Sequence, residues 1–170
     1  MVNAPADQAV VEVERDEKLH FRDPENGAVG ETNLAFKGAC GAACSSDGRQ
    51  FAIASTYGYA RVWDTATWRA AATLNGFLSG VDSVAFSPDD QRLATGSGKQ
   101  QAVSLWDTTS WQNVFTLAGP GAGYFNTGFS PDGNAIASLN EDRNLQIWRA
   151  PSWAAINAAE TPEPPASRQP

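Results

Sequence analysis

The chain has 170 residues, of which 42% are hydrophobic, enough for one ordinary core and no necessary second domain. Its formal net charge is -7 and its pI is about 4.6, so no nucleic-acid partner is expected, because nucleic acids favour a basic surface. No apolar run approaches the roughly 20 residues of a membrane helix, and residues 1–8 show no signal-peptide pattern. We therefore expect a cytoplasmic protein without a membrane partner, unless the chain is a segment whose targeting signal lies elsewhere.

The N-terminal part of the chain predicts short strands. Residues 1–8 are predicted to be a disordered N-terminus. Residues 9–36 are predicted to form only three strands of a four-strand unit whose first strand is absent. These strands are Val10–Glu14, Lys18–Asp23 and Glu31–Phe36.

Two cysteines, Cys40 and Cys44, come next and are the only ones in the sequence. On one strand their Cα atoms lie roughly 13 Å apart, whereas a disulfide needs less than about 7 Å. A pair with this spacing and no nearby histidine is weak evidence for a metal site. We therefore predict two reduced core residues that do not pair with each other.

Residues 37–75 and 76–118 each predict four short strands joined by turns. Alternating apolar residues lead into a turn at Pro88-Asp89-Asp90, where proline presets the backbone angle and aspartate caps the turn. The strands expected in the second of these units are Val81–Ser87, Arg92–Ser97, Ala102–Asp107 and Asn113–Leu117.

The last unit, residues 119–150, repeats this pattern with strands at Asn134–Leu139 and Asn144–Trp148 but lacks its own fourth strand. Ser152 is a good helix N-cap, and the alanine-rich stretch after it favours a helix over a strand, so a short helix is predicted at 151–160. Residues 161–170, rich in proline and polar groups, predict a disordered tail.

A repeat of 42 or 43 residues organises the chain. The segment Ser83–Asp90 returns at Asn126–Gly133, and a weaker copy stands at Gly41–Gly48. Each copy is followed by a tryptophan, and a second tryptophan lies five residues further on. The first set is Trp63, Trp106 and Trp148, and the second is Trp68, Trp111 and Trp153. Such regular spacing predicts a repeat architecture.

The repeat resembles the WD-repeat β-propeller family. Phe129-Ser130-Pro131-Asp132-Gly133, Val62-Trp63-Asp64 and Leu105-Trp106-Asp107 carry the resemblance, which covers the chain from about Ala9 to Trp153. It implies an all-β partial propeller of four-stranded antiparallel blades: an incomplete blade at 9–36, blades at 37–75 and 76–118, and a final blade at 119–150 without its own fourth strand. The structural repeat residues that it implies are Trp63, Asp64, Trp106, Asp107, Trp148 and Asp142.

The resemblance also shows where this sequence departs from the family. Blades of the family contain a buried hydrogen-bond network of histidine, serine or threonine, aspartate and tryptophan. Here Phe77 and Pro120 stand at the histidine positions, and Tyr57 and Gln100 stand at aspartate positions. The network is therefore expected to be incomplete in every blade, so that each blade depends more on apolar packing against its neighbours.

Fewer than four complete blades would leave two blade faces bare, because propellers are usually built from 4 to 8 blades. Three arrangements follow: a fragment of a longer protein, a homodimer of about seven to eight blades, or an arc completed by another chain. The ending Trp-Arg-Ala-Pro-Ser-Trp at 148–153 resembles the C-terminus of multi-domain bacterial WD-repeat proteins. That resemblance implies a C-terminal part of a larger signalling or regulatory protein.

No residue pattern predicts catalysis, a cofactor or a metal ion. The single histidine, His20, has no second histidine to assist it as a general base. The glycine-rich run at 119–123 joins strands, and no helix follows it to hold a phosphate. A non-catalytic scaffold for protein–protein interaction is therefore the first hypothesis. The alternative is a propeller enzyme, a hydrolase or lyase, whose channel site is completed by another chain or a missing segment.

The resemblance places partner binding on the loops that join the fourth strand of one blade to the first of the next, and the second strand to the third. Aromatic and arginine side chains at loop tips are plausible anchors for a partner protein whose identity the sequence leaves open. The candidate anchors are Tyr57, Tyr59, Phe77, Leu78, Gln100, Gln101, Tyr124 and Arg143.

Overall fold

The computed structural model describes residues 10–13, 18–22, 29–98, 102–121 and 123–151. Strands and turns make up the secondary structure of these residues. The strands are β1 Val10–Val13, β2 Lys18–Arg22, β3 Val29–Ala35, β4 Ala39–Cys44, β5 Gln50–Ser55, β6 Tyr59–Asp64, β7 Ala70–Leu74, β8 Val81–Phe86, β9 Arg92–Ser97, β10 Val103–Asp107, β11 Asn113–Leu117, β12 Tyr124–Phe129, β13 Ala135–Asn140 and β14 Leu145–Arg149.

Consecutive strands pair into four antiparallel sheets, which we call the first to fourth blades. The first blade is β1-β2-β3, the second β4-β5-β6-β7, the third β8-β9-β10-β11 and the fourth β12-β13-β14. In the second and fourth blades, short turns bring each strand back beside the one before it, as antiparallel pairing requires. This topology confirms the expected all-β partial propeller. Apart from Pro151, the predicted helix at 151–160 lies outside the described residues, as do the predicted disordered ends, and the predicted domain boundaries remain predictions.

The same turn joins the first two strands of the second, third and fourth blades. In each, a serine hydroxyl donates to the carboxylate two residues later: Ser45 to Asp47 at 2.7 Å, Ser87 to Asp89 at 2.6 Å and Ser130 to Asp132 at 2.5 Å. The serine oxygen also accepts the backbone N–H five residues on, which begins the next strand. The repeated Ser-x-Asp sequence therefore closes each turn by side-chain bonds.

Asp90 links the turns of the second and third blades. Its carboxylate accepts the backbone N–H groups of Ser46 at 2.7 Å and Asp47 at 2.9 Å, which are charge-assisted hydrogen bonds. The fourth blade has Gly133 at this position, and its neighbour across the interface is Pro88. Proline has no N–H to donate, so a carboxylate at 133 could not repeat both bonds.

Neighbouring blades pack through two different faces. Between the second and third blades, Leu93 and Trp106 of the third pack on the small residues Ala52, Ala54 and Val62 of the second. The next interface repeats the arrangement, because Ile136 and Trp148 pack against Ala94 and Val103. The third and fourth blades therefore turn their tryptophan faces to the preceding blade, and the second and third turn their smaller faces to the following one.

The cysteines are free, as their spacing predicted, but the prediction that they belong to the core was wrong. Both Cys40 and Cys44 are exposed, whereas Ala43, next to Cys44 on β4, packs against the core between the second and third blades. Partial burial of the Cys40 thiol and the nearby Asp82 carboxylate raise its pKa to about 11. The protonated thiol donates a hydrogen bond to the carbonyl of Val81 at 2.9 Å.

Candidate partner-binding face

The third blade keeps part of the buried tryptophan network. The indole Nε1–H of Trp106 donates to the hydroxyl of Thr95 at 3.0 Å, and that hydroxyl lies on the neighbouring strand β9. Phe77 stands where the family has histidine and packs on the indole, with ring centroids 5.6 Å apart. An aromatic contact has thus replaced a hydrogen bond at this position.

In the second blade the corresponding indole has no such acceptor. The Nε1 atom of Trp63 is buried and has no hydrogen-bond partner. The two blades differ in the residue that faces the indole N–H. Trp106 pairs with Leu93, and the residue two further along that strand is Thr95. Trp63 pairs with Phe51, and the residue two further along is Ile53. The side chain of Ile53 has no oxygen that could accept a hydrogen bond. This blade relies on packing of Phe36, Phe51 and Ile53 around Trp63.

In the fourth blade the tryptophan N–H has a backbone acceptor. Its Trp148 donates to the backbone carbonyl of Ala118 at 3.2 Å. The carbonyl of Pro120, at the family's histidine position, accepts the hydroxyl of Tyr124 at 2.6 Å and the side-chain amide of Asn140 at 3.1 Å. The indole N–H thus has a side-chain acceptor in the third blade, a backbone acceptor in the fourth and none in the second.

Replacement of Thr95 by valine is expected to lower the free energy of unfolding by about 1–3 kcal/mol, because it leaves the buried Trp106 N–H without an acceptor. Urea denaturation measures the change. Thr95→Ser is the matched control, since it keeps the hydroxyl and should lose less stability than valine. Equal stability of wild type and Thr95→Val would show that this bond contributes nothing.

The aspartates after two of the tryptophans cap the turn that leads into the fourth strand. Asp107 accepts the backbone N–H and the hydroxyl of Ser110 at 2.8 and 2.9 Å, and it pairs with Arg92 at 2.8 Å. Asp64 accepts the N–H and hydroxyl of Thr67 at 2.8 and 2.7 Å. The Trp-Asp sequence therefore couples a buried anchor to a turn that reverses the chain.

Two loops meet at the end of the second and third blades where β5 turns into β6 and where β7 leads to β8. A Cβ added to Gly58 would lie 3.0 Å from the carbonyl oxygen of Ser79, and one added to Gly80 would lie 2.9 Å from that of Thr56. The two loops thus pack backbone to backbone. Their tips carry Tyr57, 70% exposed, and Leu78, 65% exposed. We call Tyr57 and Leu78 with these two loops the loop face.

Hydrogen bonds hold the loop face in place. The Ser55 hydroxyl donates to the carbonyl of Lys37 at 2.7 Å and accepts the N–H of Tyr57 at 3.1 Å. On the other loop, the Ser97 hydroxyl donates to the carbonyl of Gly80 at 2.8 Å. The backbone that presents both exposed side chains is therefore preorganised.

Comparison with known families identifies the repeat. The family model described as WD domain, G-beta repeat matches residues 68–107, which run from Trp68 through most of the third blade. These residues are similar to a WD repeat. The match confirms the expected resemblance to the WD-repeat family. No curated protein matches the sequence.

The predicted anchors divide into exposed and packed residues. Tyr57, Leu78 and Arg143 are exposed, and Arg143 occupies a left-handed turn position with φ of 64°. Tyr59 instead packs on Phe36, with ring centroids 5.1 Å apart.

The remaining predicted anchors are packed or outside the described residues. Tyr124 is fully buried against Trp148, which corrects its prediction as a partner contact, because its ring fills the space beneath the Pro120 loop. Phe77 is half-buried on Trp106. Gln100 and Gln101 lie outside the described residues. Asp142, which was predicted as a structural repeat residue and not as an anchor, is exposed in the turn before β14.

The aspartates of the Ser-x-Asp and Trp-Asp turns make stability depend on pH. Hydrogen bonds from neighbouring hydroxyl and backbone N–H groups lower the pKa of five aspartates below the ordinary 3.8: Asp47, Asp64, Asp89, Asp107 and Asp132. A lowered folded-state pKa gives stability that is present above the unfolded value and is lost as pH falls through the folded value. Asp82 acts oppositely, because burial and then the Glu141 charge raise its pKa.

Acidification below the ordinary aspartate pKa of 3.8 is therefore expected to lower the free energy of unfolding. Urea denaturation across this acidic range measures the loss. Replacement of Asp89 by asparagine removes one titrating group and should make the acid-side dependence shallower. An unfolding free energy that stays constant or rises on acidification would contradict the contribution of these turns.

The described residues contain no helix long and apolar enough to cross a membrane. In the same residues, no group of three or more histidine, cysteine, aspartate or glutamate side chains is arranged to hold a metal ion.

Proposed function

We propose that this WD-repeat chain is a non-catalytic scaffold that binds a partner protein through the loop face. The observation that carries the proposal is the pair of large side chains, Tyr57 and Leu78, which are 70% and 65% exposed on two loops in direct contact. Exposed aromatic and apolar residues on a preorganised backbone are typical of the anchors that dominate binding energy at interfaces. The WD repeat itself is typical of interaction scaffolds.

The hydrogen bonds of the loops support this reading. Exposed apolar side chains on an ordered backbone lose little conformational entropy when a partner covers them. The same end of the molecule carries Asp82 and Glu141, close enough for the Glu141 charge to raise the pKa of Asp82. An apolar pair beside negative charge favours a partner segment with apolar and basic residues.

We further propose that the chain acts in the cytoplasm as part of a larger bacterial signalling or regulatory protein.

Site-specific photo-crosslinking tests the proposal. A photoreactive amino acid at position 57 should capture one partner in cells, and the purified partner should bind the chain. The double variant Tyr57→Ala, Leu78→Ala should weaken that binding by at least about tenfold, since each anchor lost costs more than about 1 kcal/mol. The control is Arg49→Ala, because the Arg49 side chain is 84% exposed at the opposite end of the blades.

Two results would contradict the scaffold. One is a partner whose affinity falls with Arg49→Ala but not with the double variant, which would place binding elsewhere. The other is a reproducible hydrolase or lyase turnover by the purified chain that is lost with the fold.

A further inference from the structure

The second and third blades differ at several positions beside their tryptophans, and one of these differences changes what covers the indole. The residue two before Trp63 is Arg61, and the residue two before Trp106 is Ser104. Both lie opposite a threonine of the blade's outer strand, because Arg61 pairs with Thr73 and Ser104 with Thr116. The two sites also share an aromatic contact. Each tryptophan packs on a phenylalanine with ring centroids 5.6 Å apart, Phe36 in one blade and Phe77 in the other.

In the second blade, Arg61 fills the space over the tryptophan. Its guanidinium carbon lies 5.9 Å from the centroid of the Trp63 ring and 5.8 Å from that of Tyr59. Its Nε donates to the hydroxyl of Thr73 at 3.3 Å. Trp63 is left with no exposed surface. Cation–π contact and a threonine acceptor thus hold a guanidinium at this position.

In the third blade, the same space is open. Ser104 is too short to fill it, and a cleft of about 230 Å³ remains, lined by Asn75, Phe77, Trp106, Asn113 and Thr116 among others. Trp106 keeps 8% of its surface exposed. The lining residues carry no charge, and their hydroxyl and amide oxygens are hydrogen-bond acceptors.

We propose that this cleft, which we call the arginine slot, binds the guanidinium group of an arginine from a partner protein. The bound group takes the place that Arg61 occupies one blade earlier: its plane lies along the Trp106 ring and its N–H groups donate to Thr116 and Asn113. The net charge of -7 attracts a cationic ligand. A lysine ammonium fits less well, because it is more strongly hydrated and has no plane to stack.

The inference depends on the proposed function only in assigning the arginine to a partner protein. The slot includes Asn75, Gly76 and Phe77 of the loop between β7 and β8, but neither Tyr57 nor Leu78 lines it. Binding of arginine to the slot can therefore be measured without a partner.

Titration of the full chain with Nα-acetyl-arginine amide, followed by the indole N–H resonances in nuclear magnetic resonance, tests the slot. In the wild type the Trp106 signal should shift saturably, with a dissociation constant on the order of millimolar for so small a ligand. The Trp63 signal should not, because Arg61 covers that ring. Nα-acetyl-lysine amide should shift the Trp106 signal at least about threefold more weakly.

Reciprocal variants sharpen the test. Ser104→Arg fills the slot from within and should abolish the response of Trp106. Arg61→Ser opens the equivalent space and should make Trp63 respond. Thr116→Val removes one acceptor from an exposed residue, so it should weaken binding even if Ser104→Arg fails to fold.

The slot is overturned if Trp106 shows no saturable shift, if it responds equally in Ser104→Arg, or if the lysine compound binds as tightly. These outcomes are separable from the test of the loop face. If the chain binds arginine amide but Tyr57→Ala, Leu78→Ala does not weaken partner binding, the arginine slot stands and the proposed loop face is wrong. If the double variant weakens partner binding but Trp106 does not respond to arginine amide, the loop face stands and the slot is wrong.

Discussion

Replacement of Gly96 by alanine is expected to lower the free energy of unfolding by about 3 kcal/mol, because overpacking at a rigid contact is among the costliest single changes. A Cβ at this position would overlap the Ser83 hydroxyl and the Tyr124 carbonyl oxygen, and it would lie 2.6 Å from the Thr127 hydroxyl. Tyr124 and Thr127 belong to the fourth blade. A single methyl group would therefore push the third and fourth blades apart.

The loss would be larger than a steric clash alone, because a buried hydroxyl chain crosses this interface. The hydroxyls of Ser83 and Thr127 lie 2.7 Å apart, and those of Thr127 and Ser138 lie 2.9 Å apart. Displacing Ser83 would break this chain and leave buried oxygens poorly paired.

Urea denaturation with tryptophan fluorescence measures the effect of Gly96→Ala. The control is Gly128→Ala, on the edge strand β12, where an added Cβ would meet no atom within 4 Å. The control is expected to cost less than about 1 kcal/mol. Equal losses for the two variants would mean that the close approach at Gly96 does not hold the blades together.

A second large effect is expected on the open face of the fourth blade. Leu145 and Ile147 are three residues and one residue before Trp148, and they are 62% and 46% exposed. In the second blade the residues at the same positions, Ala60 and Val62, are fully buried by the blade that follows. The fourth blade therefore carries apolar residues at the positions that, in the second blade, pack against the blade that follows.

Because apolar surface of this kind is normally covered, the 170-residue chain is expected to associate through it with a second copy. Leu145→Lys, Ile147→Lys should weaken that association by about 100-fold or more, since burial of each side chain contributes roughly 1.5–3 kcal/mol and 1.4 kcal/mol is a factor of ten. Light scattering across a concentration series measures the shift in mass.

The control pair is Val114→Lys, Phe115→Lys. These residues are also exposed and apolar, at 48% and 59%, and also lie on an outer strand, β11. If both pairs of substitutions reduce association equally, contact between strand edges is responsible rather than the blade face. A wild-type chain that stays monomeric at every concentration would refute the expected association.

The sequence alone was sufficient to locate the strands. The observed bounds Arg92–Ser97 and Asn113–Leu117 are those predicted, and Val81–Phe86 and Val103–Asp107 differ by one residue at one end. Alternation of apolar residues and Ser-x-Asp turns are local signals, and antiparallel pairing through short turns leaves little choice of neighbour. The fold class followed from the same local signals together with the 43-residue spacing.

The side-chain environment was predicted less well. Tyr124 was expected at a partner-binding surface and is fully buried, whereas Cys40 and Cys44 were expected in the core and are exposed. A loop position in the sequence does not reveal whether its side chain turns toward a neighbouring blade. That direction depends on the bulges at the start of each inner strand, such as the one between Phe125 and Gly128.

The sequence by itself determined that this protein repeats a four-stranded unit, with tryptophan and aspartate at fixed places in it, because those signals act within one blade. Only the tertiary structure decided which tryptophan finds an acceptor, which cleft Arg61 fills and Ser104 leaves open, and why Gly96 has no room for a side chain. Each of these depends on contacts between residues far apart in sequence or on different blades, and such contacts exist only after the blades have packed.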